Sequence, residues 1–198
     1  IPIFPLSGVI YFPKTNLPLN IFEQRYLDLV NDAYKNDKLM GMVQSKKGDS
    51  DVYDIGCLGK ISDYQKIKDG RILINLTGIS RFRILKEISS KKLYREFEVD
   101  YQSFNEDIKS SYDKINTVIL MEKAKTFFKR NGLLLNWIEF EKLDHIQKIN
   151  TLAMIAPITN EEKQKLLETV SLKNKVEILE SIISFYLHET NLNNQTIQ

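Results

Sequence analysis

The positions of this chain at which chemistry could be sought are few: two serine–lysine spacings, two histidines, one cysteine and two charged residues beside phenylalanines. Ser89…Lys92 and Ser111…Lys114 have the S-x-x-K spacing, in which a lysine amine takes the proton of a serine nucleophile. With 13 serines and 22 lysines in 198 residues, about 1.4 such matches arise from independent placement, so the spacing carries no weight. Neither serine has the strained turn and oxyanion donors that would activate it. His145 and His188 lie far apart, with no second ligand at metal spacing. Cys57 stands between Gly56 and Gly59 without a neighbouring cation to lower its pKa, and the role expected of it is a small buried hydrophobe. No G-x-x-x-x-G-K-[ST] loop occurs, which excludes a Walker-type phosphate cradle. No catalytic residue, cofactor or metal ligand is expected. Glu23 and Arg81 follow and precede Phe22 and Phe82, so both are expected to be partly buried, where charges persist only when paired. The expectation is that they pair with each other, or with backbone groups, where the opening segment meets the sheet.

The elements that must position these residues are of two kinds. The opening stretch, IPIFPLSGVIYFPKTNLPLNIFEQRY, interleaves four prolines with apolar residues. Proline fixes φ and gives no ladder donor, so this stretch reads as short extended pieces broken by turns, with Ile3, Phe4, Leu6 and Phe22 as core candidates. A helix is expected near 23–36. From about residue 40 to 104 the apolar period is two. Strands are expected at 39–43, from 55 toward 67, at 71–76, around Phe82 and Ile84, and around Phe97 and Val99, in an antiparallel, twisted, largely closed sheet. Asp69-Gly70 supplies the positive φ of a tight hairpin turn. Beyond Asn105 the period becomes 3.6. Ile108, Tyr112, Ile115 and Ile119 form a stripe continued by Leu120, Ala124, Phe127 and Phe128, and Asn131-Gly132 stops it. Further helices are expected over 143–155, from an N-cap at Thr159 or Asn160, and over 172–186, with Trp137 anchoring this half and a frayed polar tail from about 188.

Composition narrows the partners. The formal net charge is +2. Residues 1–105 hold 16 Lys/Arg against 13 Asp/Glu, and residues 106–198 hold 12 against 13. No half concentrates the basic charge that nucleic-acid binding needs. No apolar run approaches the ~20 residues that span a bilayer. There is no basic n-region with a small-residue cleavage site, and the single cysteine excludes an internal disulfide. A cytoplasmic location without membrane contact is the expectation.

Three ordered sets of residues resemble a known family. They are Pro5-Leu6, Phe12-Pro13, Pro18-Leu19, Phe22-Glu23 and Arg25-Tyr26 in the opening, then Gly56, Gly59, Asp69-Gly70-Arg71, Gly78 and Arg81-Phe82 in the sheet. In the helical half, Leu152-Ala153, Pro157, Glu162-Lys163-Gln164, Leu166-Leu167-Glu168 and Leu179 follow. The chain resembles the LON N-terminal domain, the substrate-binding module of the ATP-dependent Lon protease, over about residues 1 to 187. The same module occurs alone in small bacterial proteins, the type this chain looks closest to, and in cereblon. The resemblance implies an α+β fold, with a PUA-like β pseudo-barrel lobe over 1–105 and a helical bundle over 106–198. It also implies a binding module without the ATPase and the Ser-Lys peptidase.

The leading expectation is therefore a non-catalytic module for unfolded or partly folded polypeptides, related to proteolysis and open to a protease or chaperone partner. Such clients expose apolar groups, so exposed aromatic and aliphatic side chains would meet them. Tyr11, Phe12, Leu17 and Tyr64 are the candidate contacts, weighed against a place in the core. Two alternatives stand beside it: an RNA-binding PUA-like module, by fold analogy alone, and an adaptor docking through the 172–186 helix.

Overall fold

One long strand, β5 (Ile72–Ile88), organises the first part of the chain. The structure, a computed structural model, describes residues 1–46, 51–108 and 115–195. It divides into two units, Ile1–Ser110 and Ser111–Gln198. In the first unit the strands that accompany β5 are β1 (Pro2–Leu6), β2 (Asn16–Ile21), β3 (Leu39–Gln44), β4 (Ile55–Lys66) and β6 (Arg95–Asp100). β4 runs antiparallel along one side of β5. On its other side β5 pairs first with β2 and then with β6. β3 joins β4, β1 joins β3, and β6 joins β1, so the ring β5-β4-β3-β1-β6 closes and β2 is left outside it.

Two expectations about this sheet are corrected. The sheet is mixed, because β1 and β3 are parallel. They are joined through β2 and a helix rather than a tight turn, and only a long crossover lets a chain return in the same direction. Residues 71–84 hold one strand rather than two, since nothing between Leu76 and Arg81 breaks it. Gly78 is no turn; a Cβ there would strike the carbonyl of Phe12, so the glycine admits the opening loop. The Asp69-Gly70 turn forms as expected, with Gly70 at φ +93° and the Gly70 N–H donating to the Ile67 carbonyl at 3.1 Å.

Ile3, Val43, Leu58, Phe82 and Phe97 pack together as a core cluster. The ring of Phe82 needs a glycine opposite it: a Cβ on Gly56 would stand 2.6 Å from Phe82 Cζ. A second layer is α1 (Gln24–Lys35), which buries Tyr26, Leu29, Val30 and Ala33 at helical spacing. The Tyr26 ring lies 4.1 Å from that of Phe4. Phe22, expected in the core, is 67 % exposed. It follows Ile21, the last ladder residue, whose side chain already fills the inward position.

After β6 the chain makes two short 3-10 turns over Gln102–Ile108, kinked at the buried Phe104. The expected stripe therefore does not begin at Ile108, which is exposed. Tyr112 lies outside the described residues. In the second unit α2 (Val118–Arg130) buries Leu120, Ala124, Phe127 and Phe128. It ends in a Schellman motif: Gly132 has φ +66°, and the Leu133 N–H donates to the Phe128 carbonyl at 3.0 Å. A short α3 (Trp137–Glu141) follows, and Trp137 packs edge-on against Phe128 and Phe140. α4 (His145–Ile155) and α5 (Asn160–Glu168) open on capping boxes, Asp144/Gln147 and Thr159/Glu162. α6 (Leu172–Gln195) runs past His188, where a frayed tail was expected. No Gly or Pro stops it there.

Candidate functional site

Of the four candidate client contacts, two are buried. Tyr11 is 2 % exposed and Phe12 is fully buried. The loop before β2 folds onto the sheet: Lys14 takes φ 60°, its N–H donates to the Gly78 carbonyl at 2.9 Å, and Thr15 Oγ1 donates to the Phe12 carbonyl at 2.7 Å. Tyr11 presses against Gly59, and its hydroxyl has no hydrogen-bond partner among the described residues. Burial pushes the Tyr11 hydroxyl pKa far above the usual tyrosine range. Neither residue is placed to touch a client, because both serve to close the loop over the sheet.

Leu17 and Tyr64 are half-buried and share a face of the β2–β5–β4 sheet. Leu17 stands opposite Leu76, and Tyr64 opposite Ile74, two residues along the same strand. Tyr64 stacks on Tyr34 of α1 with ring centroids 4.1 Å apart, and its hydroxyl donates to Asn31 Oδ1 at 2.8 Å. At the exit of β2 stands exposed Phe22. A surface depression of about 540 Å³ lies across β4 and β5, lined by Asp63, Gln65, Leu73 and Asn75 among others.

The expected Glu23–Arg81 pair is not formed. Glu23 takes the N-cap position of α1 without a side-chain cap bond, and its carboxylate pairs at the surface with Arg25 at 2.9 Å. Arg81 pairs instead with Asp107, in a fork whose side chains are only 3 % and 10 % exposed. Arg81 Nε donates to Asp107 Oδ2 and Nη2 to Oδ1, both at 2.8 Å, while the Arg81 backbone N–H also reaches Oδ2 at 2.9 Å. The guanidinium lies 4.5 Å from the Phe104 ring centroid. A planar fork over an aromatic face is arginine-specific geometry. It clamps the 3-10 turns onto β5, so it is structural. Sequence reasoning missed Asp107 because no periodicity links positions 26 apart.

Lys92 Nζ donates to Glu96 Oε1 at 2.7 Å. Glu96 first, and Tyr94 second, hold that amine protonated above the ordinary lysine range, which is the wrong state for a general base. Ser111…Lys114 lies outside the described residues. His145 and His188 are exposed, and Cys57 is buried. Among the described residues no three His, Cys, Asp or Glu side chains converge to hold a metal. No helix among them is long and apolar enough to cross a membrane.

In the second unit Glu162-Lys163-Gln164 is a helix junction. Glu162 Oε2 accepts from the Thr159 backbone N–H at 2.8 Å and from the Tyr186 hydroxyl of α6 at 3.0 Å. Lys163 Nζ donates to the Met154 carbonyl of α4 at 2.8 Å, and partial burial lowers its pKa. Gln164 is buried and donates to Glu168. Glu162 and Lys163 thus tie α5 to α6 and α4.

With this geometry in view, comparison with known proteins decides the family. The model of the ATP-dependent protease La (LON) substrate-binding domain matches residues 1–184. The chain belongs to this Lon substrate-binding family. A Lon protease of Syntrophus aciditrophicus is 28 % identical over 203 residues, covering 94 % of this chain and 25 % of the relative. Lon protease 2 of Myxococcus xanthus is 25 % identical, covering 93 % and 23 %. The chain spans about a quarter of the length of these relatives. Among solved structures, a Lon N-terminal domain protein from Xanthomonas campestris superposes with a TM-score of 0.67 at 22 % identity, covering 91 % of this chain and 96 % of that one. The N-terminal domain of a Mycobacterium avium complex Lon protease gives 0.66 at 16 % identity, covering 93 % and 97 %. The LON-domain α+β fold is thereby shared.

Proposed function

We propose that this LON-family chain is a non-catalytic, cytoplasmic module that recognises unfolded or partly folded polypeptides. Family membership carries the reading: the matched region is the substrate-binding part of a protease, whose substrates are polypeptides. The geometry agrees with it. Unfolded chains differ from folded ones in the apolar groups they expose, so their receptor needs accessible apolar surface. Leu17, Tyr64 and Phe22 supply such surface on the first unit. The near-balanced charge lends nothing to the RNA alternative, whose affinity would rest on phosphate contacts.

Calorimetry with one protein in two forms tests the proposal: native and disulfide-bonded, or reduced and alkylated so that it cannot fold. Binding is expected to the second form only; Leu17→Ser and Phe22→Ser are expected to weaken it, Phe22→Ser without lowering Tm. Equal binding to both forms, or binding to neither, would overturn it.

A further inference from the structure

β2 ends the sheet. Among the described residues no strand pairs with its outer edge. The register says which backbone groups face that way. The Gly78 N–H donates to the Thr15 carbonyl at 2.9 Å, and the Asn16↔Thr77 pair that follows is the widely spaced kind. Leu17, Leu19 and Ile21 therefore exchange their N–H and C=O groups with β5. Asn16, Pro18 and Asn20 turn theirs outward. Pro18 fits this position, because a proline there removes no bond from the β5 ladder. The edge thus presents a complete donor–acceptor pair at Asn16, a lone acceptor at Pro18, and a second complete pair at Asn20.

From this edge we infer that the chain captures a client as an added β-strand, the client being an extended segment with alternating apolar residues. The inference rests on the proposed polypeptide-binding function and specifies how that site works. Backbone bonds to Asn16, Pro18 and Asn20 supply affinity that does not depend on client sequence. Selectivity comes from the pleat. Client residues opposite Leu17 and Leu19 fall on the apolar face, where those two leucines are half-buried. Residues opposite Asn16, Pro18 and Asn20 fall on the exposed polar face. Folded proteins keep most of their backbone groups paired and offer few extended segments that can dock this way. Pro18 has a second effect: with its donor missing, two copies of β2 pair less well with each other than β2 pairs with a client.

The probe is a short peptide alternating valine and threonine, titrated into the full chain beside the same peptide N-methylated at every second residue, in both phases. One methylation phase blocks the donors aimed at β2, and the other blocks donors that face solvent. The unmodified peptide and one phase are expected to bind, with the opposite phase at least about tenfold weaker. Asn20→Pro removes an outward donor without touching the β5 ladder, and is expected to weaken the unmodified peptide about fivefold to tenfold. Pro18→Thr restores a donor and is expected to tighten it. The methylation series is read on the wild-type chain, so it stands even where a variant does not fold. Two equally active methylation phases would overturn strand addition while leaving polypeptide binding intact. A wild-type dimer that the peptide does not dissociate would also overturn it, since a second copy would then occupy the edge. No binding by either the peptide or the alkylated protein would overturn the functional reading itself.

Discussion

Asp107→Ala removes the carboxylate that accepts three bonds from Arg81 inside the first unit. The side chain left behind is 3 % exposed, so water cannot take over from the lost partner. Breaking a buried ion pair from one side costs about 3–5 kcal/mol. Three bonds to one carboxylate, including that from the Arg81 backbone N–H, put this case in the upper part of that range. For a unit near 100 residues, about 4 °C of Tm per kcal/mol turns the loss into a drop of about 16–20 °C. Trp137 reports the second unit, so the readout is hydrogen exchange at the β5 and β6 amides in a urea series. Arg81→Met should cost a similar amount, because it orphans the carboxylate. The double variant Arg81→Met/Asp107→Leu should recover much of the loss, since a buried pair replaced by apolar groups of similar size is often neutral. Single variants that each cost below about 1 kcal/mol, or a double variant equal to their sum, would refute the clamp.

Three further outcomes follow from the same geometry. Tyr11→Phe deletes a buried hydroxyl that has no partner among the described residues, and is expected to leave stability unchanged or raise it by about 1 kcal/mol in urea melts; a clear loss would reveal a bond from that hydroxyl. The bond from Arg95 holds the Glu87 carboxyl below its ordinary 4.5, so the pair's contribution is fully present above that pH and is lost as pH falls through the lowered value. Carboxyl NMR should place the Glu87 midpoint below 4.5 and return it upward in Arg95→Gln. Glu162→Ala removes one arm of the α5 capping box and the Tyr186 bond, and should destabilise the second unit by about 1–3 kcal/mol, followed by Trp137 fluorescence.

Much of this molecule can be read along the chain, and the readable parts are local. The Asp69-Gly70 hairpin, the Asn131-Gly132 stop and the Thr159 cap each depend on dihedrals and hydrogen bonds within a few residues. The period of two in the sheet and of 3.6 beyond it reflects which side of one element faces water, and the family is visible in ordered short motifs of the same kind. What the chain folds against is another matter. Tyr11 and Phe12 look no different in sequence from Phe22, yet the loop that carries the first two closes over Gly59 and Gly78 while Phe22 is left in solvent. Arg81 was expected to meet Glu23, and it pairs with Asp107 because β6 and the 3-10 turns close onto β5. The free edge of β2 is likewise a property of strand order, since a strand's own residues do not say what lies beside it. Local propensity made the elements. The choice of neighbours, and with it burial, pairing and the open edge, was made by tertiary packing, because those energies exist only between segments that are distant in sequence.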